Sequence, residues 1–109
     1  MEKKLNIGER LIILQILPKE GNFATLKLIR DLVNKIGISA DEHTDFELKQ
    51  EGDKLSWNAK GSEEKSIDFK IKEIELISNA LEKLDKEKKL EFSHFSVFEK
   101  FAEAEDDNN

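Results

Sequence analysis

The spacing of apolar residues changes period twice along this chain, and that double switch limits the fold more than any other feature. Apolar positions recur at helical spacing as far as Ile36, alternate with charged residues from about Phe46 to Ile71, and return to helical spacing from about Lys72. A chain of 109 residues that does this is neither all-helical nor all-β. It reads as an α+β domain: two N-terminal helices, a helical turn, a small three-stranded antiparallel meander and two C-terminal helices.

The first helix is announced by Asn6-Ile7-Gly8-Glu9, a capping box in which Glu9 reaches back to Asn6. In the segment Glu9 to Leu17, only Gln15 interrupts the Leu and Ile run that starts at Leu11, so this short helix is predicted to be buried on most of its circumference. Pro18 ends it, and Lys19-Glu20-Gly21 supplies a turn. Asn22 is the cap of a second helix whose apolar face is Leu26, Ile29, Leu32, Val33 and Ile36, with Gly37 placed where a left-handed C-terminal residue is wanted. Ser39-Ala40-Asp41-Glu42 repeats the capping pattern and predicts a further turn or two, to about Phe46.

In the alternating region Phe46, Leu48 and Gln50 face Leu55, Trp57 and Ala59 across the turn signal Glu51-Gly52-Asp53. This predicts a hairpin with one apolar face, on which Trp57 is a core residue. Gly61-Ser62-Glu63-Glu64 makes a second turn, and Ile67, Phe69 and Ile71 alternate again as a third strand. The helix that follows carries Ile74, Ile77, Leu81 and Leu84 as a seam widened by Leu76 and Ala80. Asp85 to Lys89 form its polar end, and Ser93 is the expected cap of a last helix running through Phe101. Residues 1–101 read as one domain and 102–109, with four acids and no base, as a disordered acidic tail. Phe23, Phe46, Phe69 and Phe92 recur every 23 residues, but only two strand pentads match, so no repeat architecture is implied.

Composition narrows the chemistry. Leu, Ile, Val and Phe account for 33 of 109 residues, above the level of disordered chains. Cysteine is absent, which removes disulfides, thiol nucleophiles and thiolate metal ligands. There is no tyrosine, no Gly-x-Ser-x-Gly element and no phosphate-binding glycine fingerprint, and only His43 and His94 could serve as imidazole groups. Asp41, Glu42, His43, Asp45 and Glu47 make the best metal candidate, since His43 and Glu47 would share a helical face. A site needs three or four ligands, however, and acids at a helix start are the ordinary occupants of its positive dipole end. No catalytic residue, metal site or cofactor is expected, and the chain reads as a non-enzyme.

The formal charge of −6 divides unevenly: residues 1–101 carry −2 and the tail carries −4. Lys83, Lys86, Lys88 and Lys89 are interleaved with Glu82, Asp85, Glu87 and Glu91, and the only arginines are Arg10 and Arg30. Nucleic acid is therefore not the expected partner. No apolar run approaches the length of a membrane span, so a soluble domain in the cytoplasm is expected.

Four of the seven phenylalanines, Phe92, Phe95, Phe98 and Phe101, fall within ten residues. Steps of three sweep about half of a helix, more than one core face accommodates. Phe95 and Phe98, with Val97 or Ala102, are the expected core members, and the remaining ring area is the expected contact with a partner or a second copy.

Glu9-Arg10-Leu11 through Leu17 to Asn22, Thr25 to Leu32, Leu84 to Leu90 and Phe98-Glu99-Lys100-Phe101 together resemble small bacteriophage and prophage proteins that have no assigned activity. The resemblance implies a phage or prophage setting and brings no catalytic residues. The expected function is a non-enzymatic protein-interaction module, an assembly or regulatory factor in that setting, acting on a protein partner or as a homodimer through the last helix. The alternative is a winged-helix-like nucleic-acid binder, with Glu51-Gly52-Asp53 as the wing tip.

Overall fold

Asn6 caps the first helix in both directions in the structure of the chain, a computed structural model that describes residues 1–102. Its side-chain oxygen accepts the Glu9 N–H at 2.9 Å, and the Glu9 carboxylate accepts the Asn6 N–H at 3.0 Å. Helix α1 (Ile7–Ile16) thus begins two residues before the predicted Glu9. Every residue in it except Gln15 is buried or half-buried, as its apolar run predicts. Helices α2 (Phe23–Ile36) and α3 (Ala40–Asp45) start from the expected Asn22 and Ser39 caps. Helices α4 (Ile71–Lys86) and α5 (Phe95–Phe101) complete the helical set. Residues 103–109, nearly all of the expected tail, lie outside the described residues.

The sheet differs from the predicted meander. Strand β1 (Glu2–Leu5) pairs antiparallel with β4 (Lys65–Asp68), and β2 (Lys49–Glu51) pairs antiparallel with β3 (Lys54–Ser56), giving two separate two-stranded ladders. Three local events break the meander. Phe46 ends α3, and Glu47 turns through a left-handed conformation (φ 51°), so strand pairing starts only at Lys49. After Ser56, Asn58 caps a 3-10 turn over Ala59–Ser62 and diverts the chain. At the far end Ile71 begins α4 and is exposed, so it cannot extend the alternation of Ile67 and Phe69. Of the hairpin's expected apolar face only Leu48, just before β2, is buried, and all six paired strand residues are exposed. Trp57 is half-buried rather than core. It lies against Gly61, where a Cβ would stand 2.6 Å from its ring, and near Gly8.

β4 instead finds its partner at the chain start. Lys3 lies opposite Ile67 and Leu5 opposite Lys65, which places Lys3, Leu5, Ile67 and Phe69 on one face of the ladder. Leu5, Ile67 and Phe69 enter the core there, with Ile13 and Leu17 from the first helical segment, Leu32 and Ile36 of α2, Ile77 and Leu81 of α4, and Val97 and Phe101 of α5.

Gly37 is not left-handed. Its φ of −62° and ψ of 157° are extended, and it is required for a different reason: a Cβ would stand 2.6 Å from the Val33 carbonyl oxygen. The carbonyls of Ile36 and Gly37 at this end of α2 meet Arg10, which is only 2% exposed. Arg10 Nε donates to the Ile36 carbonyl at 3.0 Å and Nη2 to that of Gly37 at 2.8 Å. The outer edge of the guanidinium grips the Glu42 carboxylate with two bonds of 2.9 and 2.8 Å. One side chain of α1 therefore closes the C-terminus of α2 and holds the first turn of α3.

Two further charged groups are buried. Glu73 is fully buried; its Oε1 accepts from Lys35 Nζ and from the Lys70 N–H, both at 2.8 Å, while Oε2 has no partner among the described residues. Glu9 accepts from Lys100 Nζ at 2.8 Å, and that ammonium also donates to Glu64 and to the Lys4 carbonyl. Burial disfavours the charge on Lys100, but the bonds to Glu64 and Glu9 outweigh it and raise its pKa.

These pairs make stability predictions. Lys35→Met leaves the Glu73 carboxylate buried and uncompensated, so urea unfolding is expected to show a loss of about 3–5 kcal/mol, whereas Lys35→Met with Glu73→Leu recovers most of it. The Arg10 hydrogen bonds, working against desolvation, lower the Glu42 pKa from 4.5 to about 2. Because the folded-state value is depressed, the stabilisation is complete above the unfolded value and is lost as pH falls through the folded one. It amounts to roughly 2 kcal/mol once the open rim of the pair is allowed for. Urea midpoints at pH 6 and 2.5 are therefore expected to differ less in Glu42→Gln than in the parent chain.

Candidate functional site

The chain leaves α4 through Lys88, which is left-handed (φ 57°), and reaches a 3-10 turn at Phe92–His94 that runs directly into α5. Ser93 is not the cap of this segment. The turn is closed by His94, whose Nδ1 accepts the Glu91 N–H at 2.9 Å and whose own N–H donates to the Glu91 carbonyl at 2.8 Å. Since Nδ1 is an acceptor here, the ring proton belongs on Nε2.

Helix geometry then sorts the four rings. Val97 and Phe101 lie four residues apart, about 40° around the helix, and both are buried. Phe101, 6% exposed, meets Phe69 edge-on with centroids 5.4 Å apart, and the Lys3 ammonium lies 5.7 Å from its ring. Phe98 is half-buried at the edge of the core, and Ala102 lies beside it. Phe95 is about 160° around from Val97 and is 56% exposed. Phe92 precedes the helix and is 87% exposed. The expected pairing of Phe95 with Phe98 in the core is therefore replaced by Phe101 inside, Phe98 at the edge and Phe95 outside. Phe92 and Phe95 meet edge-to-face, with centroids 5.8 Å apart and planes at 75°.

Two concavities border this aromatic corner and share Glu91 and His94. A groove of about 740 Å³ runs between Gln15, Ile16 and Pro18 on one side and Ala80, Lys83 and Leu84 on the other. A smaller cleft of about 300 Å³ has Leu90, Phe95 and Phe98 as its apolar surface. Elsewhere the exposed Phe23 of α2 has the Lys27 ammonium 5.7 Å from its ring.

The acidic cluster around His43 is dispersed. Glu42 is taken by Arg10, Asp45 lies 3.4 Å from the Lys60 ammonium, and Glu47 is beyond the end of α3, where it accepts from the Asn58 side chain. His43 and Glu47 therefore do not share a helical face. Among the described residues no group of three His, Asp or Glu side chains is placed to hold a metal ion. No described helix is long and apolar enough to cross a membrane. Sequence reasoning missed Arg10 and Glu73 and read Glu9 only as a capping residue; all three are buried and structural in their contacts. No protein-family model, curated protein or solved structure matches the chain.

The division of the rings is directly testable. Phe101→Ala is expected to cost about 3–5 kcal/mol in chemical unfolding, as for a buried aromatic, whereas Phe92→Ala stays within about 0.5 kcal/mol of the parent.

Proposed function

We propose that this chain is a non-enzymatic protein-interaction module, an assembly or regulatory factor in a phage or prophage setting, and that it meets its partner through the aromatic corner formed by Phe92, Phe95 and the edge of Phe98. The observation that carries this reading is the exposed edge-to-face pair of Phe92 and Phe95 beside two concavities. Burying a large aromatic is worth about 1.5–3 kcal/mol, so leaving two of them in water forgoes stability that a partner can recover. Phenylalanine, like tyrosine and tryptophan, is enriched in the buried cores of protein interfaces. Phe101, already part of the domain core, is not a contact residue in this account.

The winged-helix alternative is weaker on electrostatic grounds. Its element order is present, with α1, α2 and α3 followed by the β2–β3 hairpin. The helix in the recognition position nevertheless carries Asp41, Glu42 and Asp45, and the hairpin tip carries Glu51 and Asp53. Phosphates would meet acids at both contact points.

The test pairs Phe92→Ser with Phe95→Ser in one variant, whose circular dichroism and thermal midpoint are expected to match the parent. A partner isolated on the parent chain and then purified should bind this variant at least about tenfold more weakly by calorimetry. Equal affinity in the folded variant would reject the aromatic corner as the contact.

A further inference from the structure

We infer that the cleft beside the aromatic corner receives a basic side chain, an arginine or lysine flanked by apolar residues in a segment of a protein partner. The inference rests on the interaction reading above and names the chemistry of what that surface binds. Leu90, Phe95 and Phe98 form an apolar surface inside about 300 Å³, enough for one long side chain and part of its neighbour. Asp85, Glu91 and Glu99 stand around it. None of the three is ion-paired with a lysine or arginine among the described residues.

The other ionisable lining group, His94, has its Nδ1 occupied by the Glu91 N–H and presents Nε2–H. The carboxylates are spread around the apolar surface and not gathered closely enough to share a metal ion. That arrangement matches an elongated organic cation. Its methylene stem lies on Leu90 and Phe98, its charged head reaches the rim acids, and a guanidinium can also stack on the Phe95 face. An apolar residue next to the cation then covers Phe92, which is otherwise the most exposed large apolar side chain described. An acidic segment would place like charges around the same apolar surface and is excluded by repulsion.

The probe is acetyl-Arg-Leu-Arg amide, with acetyl-Glu-Leu-Glu amide as control, titrated into the ¹⁵N-labelled 109-residue chain. The Arg peptide is expected to give saturable amide shifts confined to residues 85–99, and the Glu peptide none. Affinity should fall about fivefold in Glu91→Gln/Glu99→Gln, and it should fall with added salt. The variant's own spectrum reports that it is folded. Absence of a saturable shift at about 5 mM Arg peptide, an equal response to both peptides, or unchanged affinity in the Gln variant would overturn the inference. A dimer seen by light scattering and dissolved by Phe95→Ser would also overturn it, by making a second copy the occupant. If the serine variant loses a purified partner while the Gln variant keeps it, the aromatic contact stands and the basic-ligand inference alone fails.

Discussion

Arg10 is the side chain on which the arrangement of the helices depends. It lies within an almost wholly apolar helix, is nearly inaccessible to water, and donates to two carbonyls at the end of α2 and to both oxygens of Glu42. A guanidinium in that position can be satisfied only if α1, the α2 terminus and α3 meet in one way. The Glu9–Lys100 and Lys35–Glu73 contacts repeat the device between α1 and α5 and between α2 and α4. Desolvating such groups costs about as much as their pairing returns, so their main effect is on arrangement. A misdocked helix would leave a buried charge bare.

The inward charges stand against outward rings. The core is mostly aliphatic, with Phe69 and Phe101 as its buried aromatics. Helix α5 docks with Val97, Phe101 and the ammonium of Lys100, and these suffice to hold a seven-residue element in place. Phe92 and Phe95 are then left over from folding. Under the proposed function, this exposed edge-to-face pair on a turn closed by His94 would serve as a contact surface already largely ordered before any partner arrives.

The sequence made the helices legible because their signals are local. Asn6, Asn22, Ser39 and Pro18 act within a few residues, and the seam of Ile77 and Leu81 is periodic whatever it packs against. Strand pairing was not legible. Glu-Lys-Lys-Leu at positions 2–5 contains a single large apolar residue, and its partner strand lies 60 to 66 residues away. The alternation at Ile67 and Phe69 reported a strand correctly and said nothing about its neighbour. Arg10 did leave a trace: a helix apolar on nearly every side offers a charged residue no solvated face, so a buried partner was implied. At the aromatic corner, spacing established that four rings cannot share one face. Only docking through Val97 decided that Phe101 turns inward and Phe95 outward.

The clamp by Arg10 can be observed without mutation. Arg10 and Arg30 are the only arginines, so the side-chain Nε–H region of a ¹⁵N–¹H spectrum contains one resonance from each. Arg10 Nε–H donates to the Ile36 carbonyl at 3.0 Å inside the protein, while the Arg30 side chain is 66% exposed. Hydrogen exchange of the Arg10 Nε–H is expected to follow global unfolding and to be slower than that of Arg30 by orders of magnitude. Exchange of both protons at the same fast rate would contradict the account.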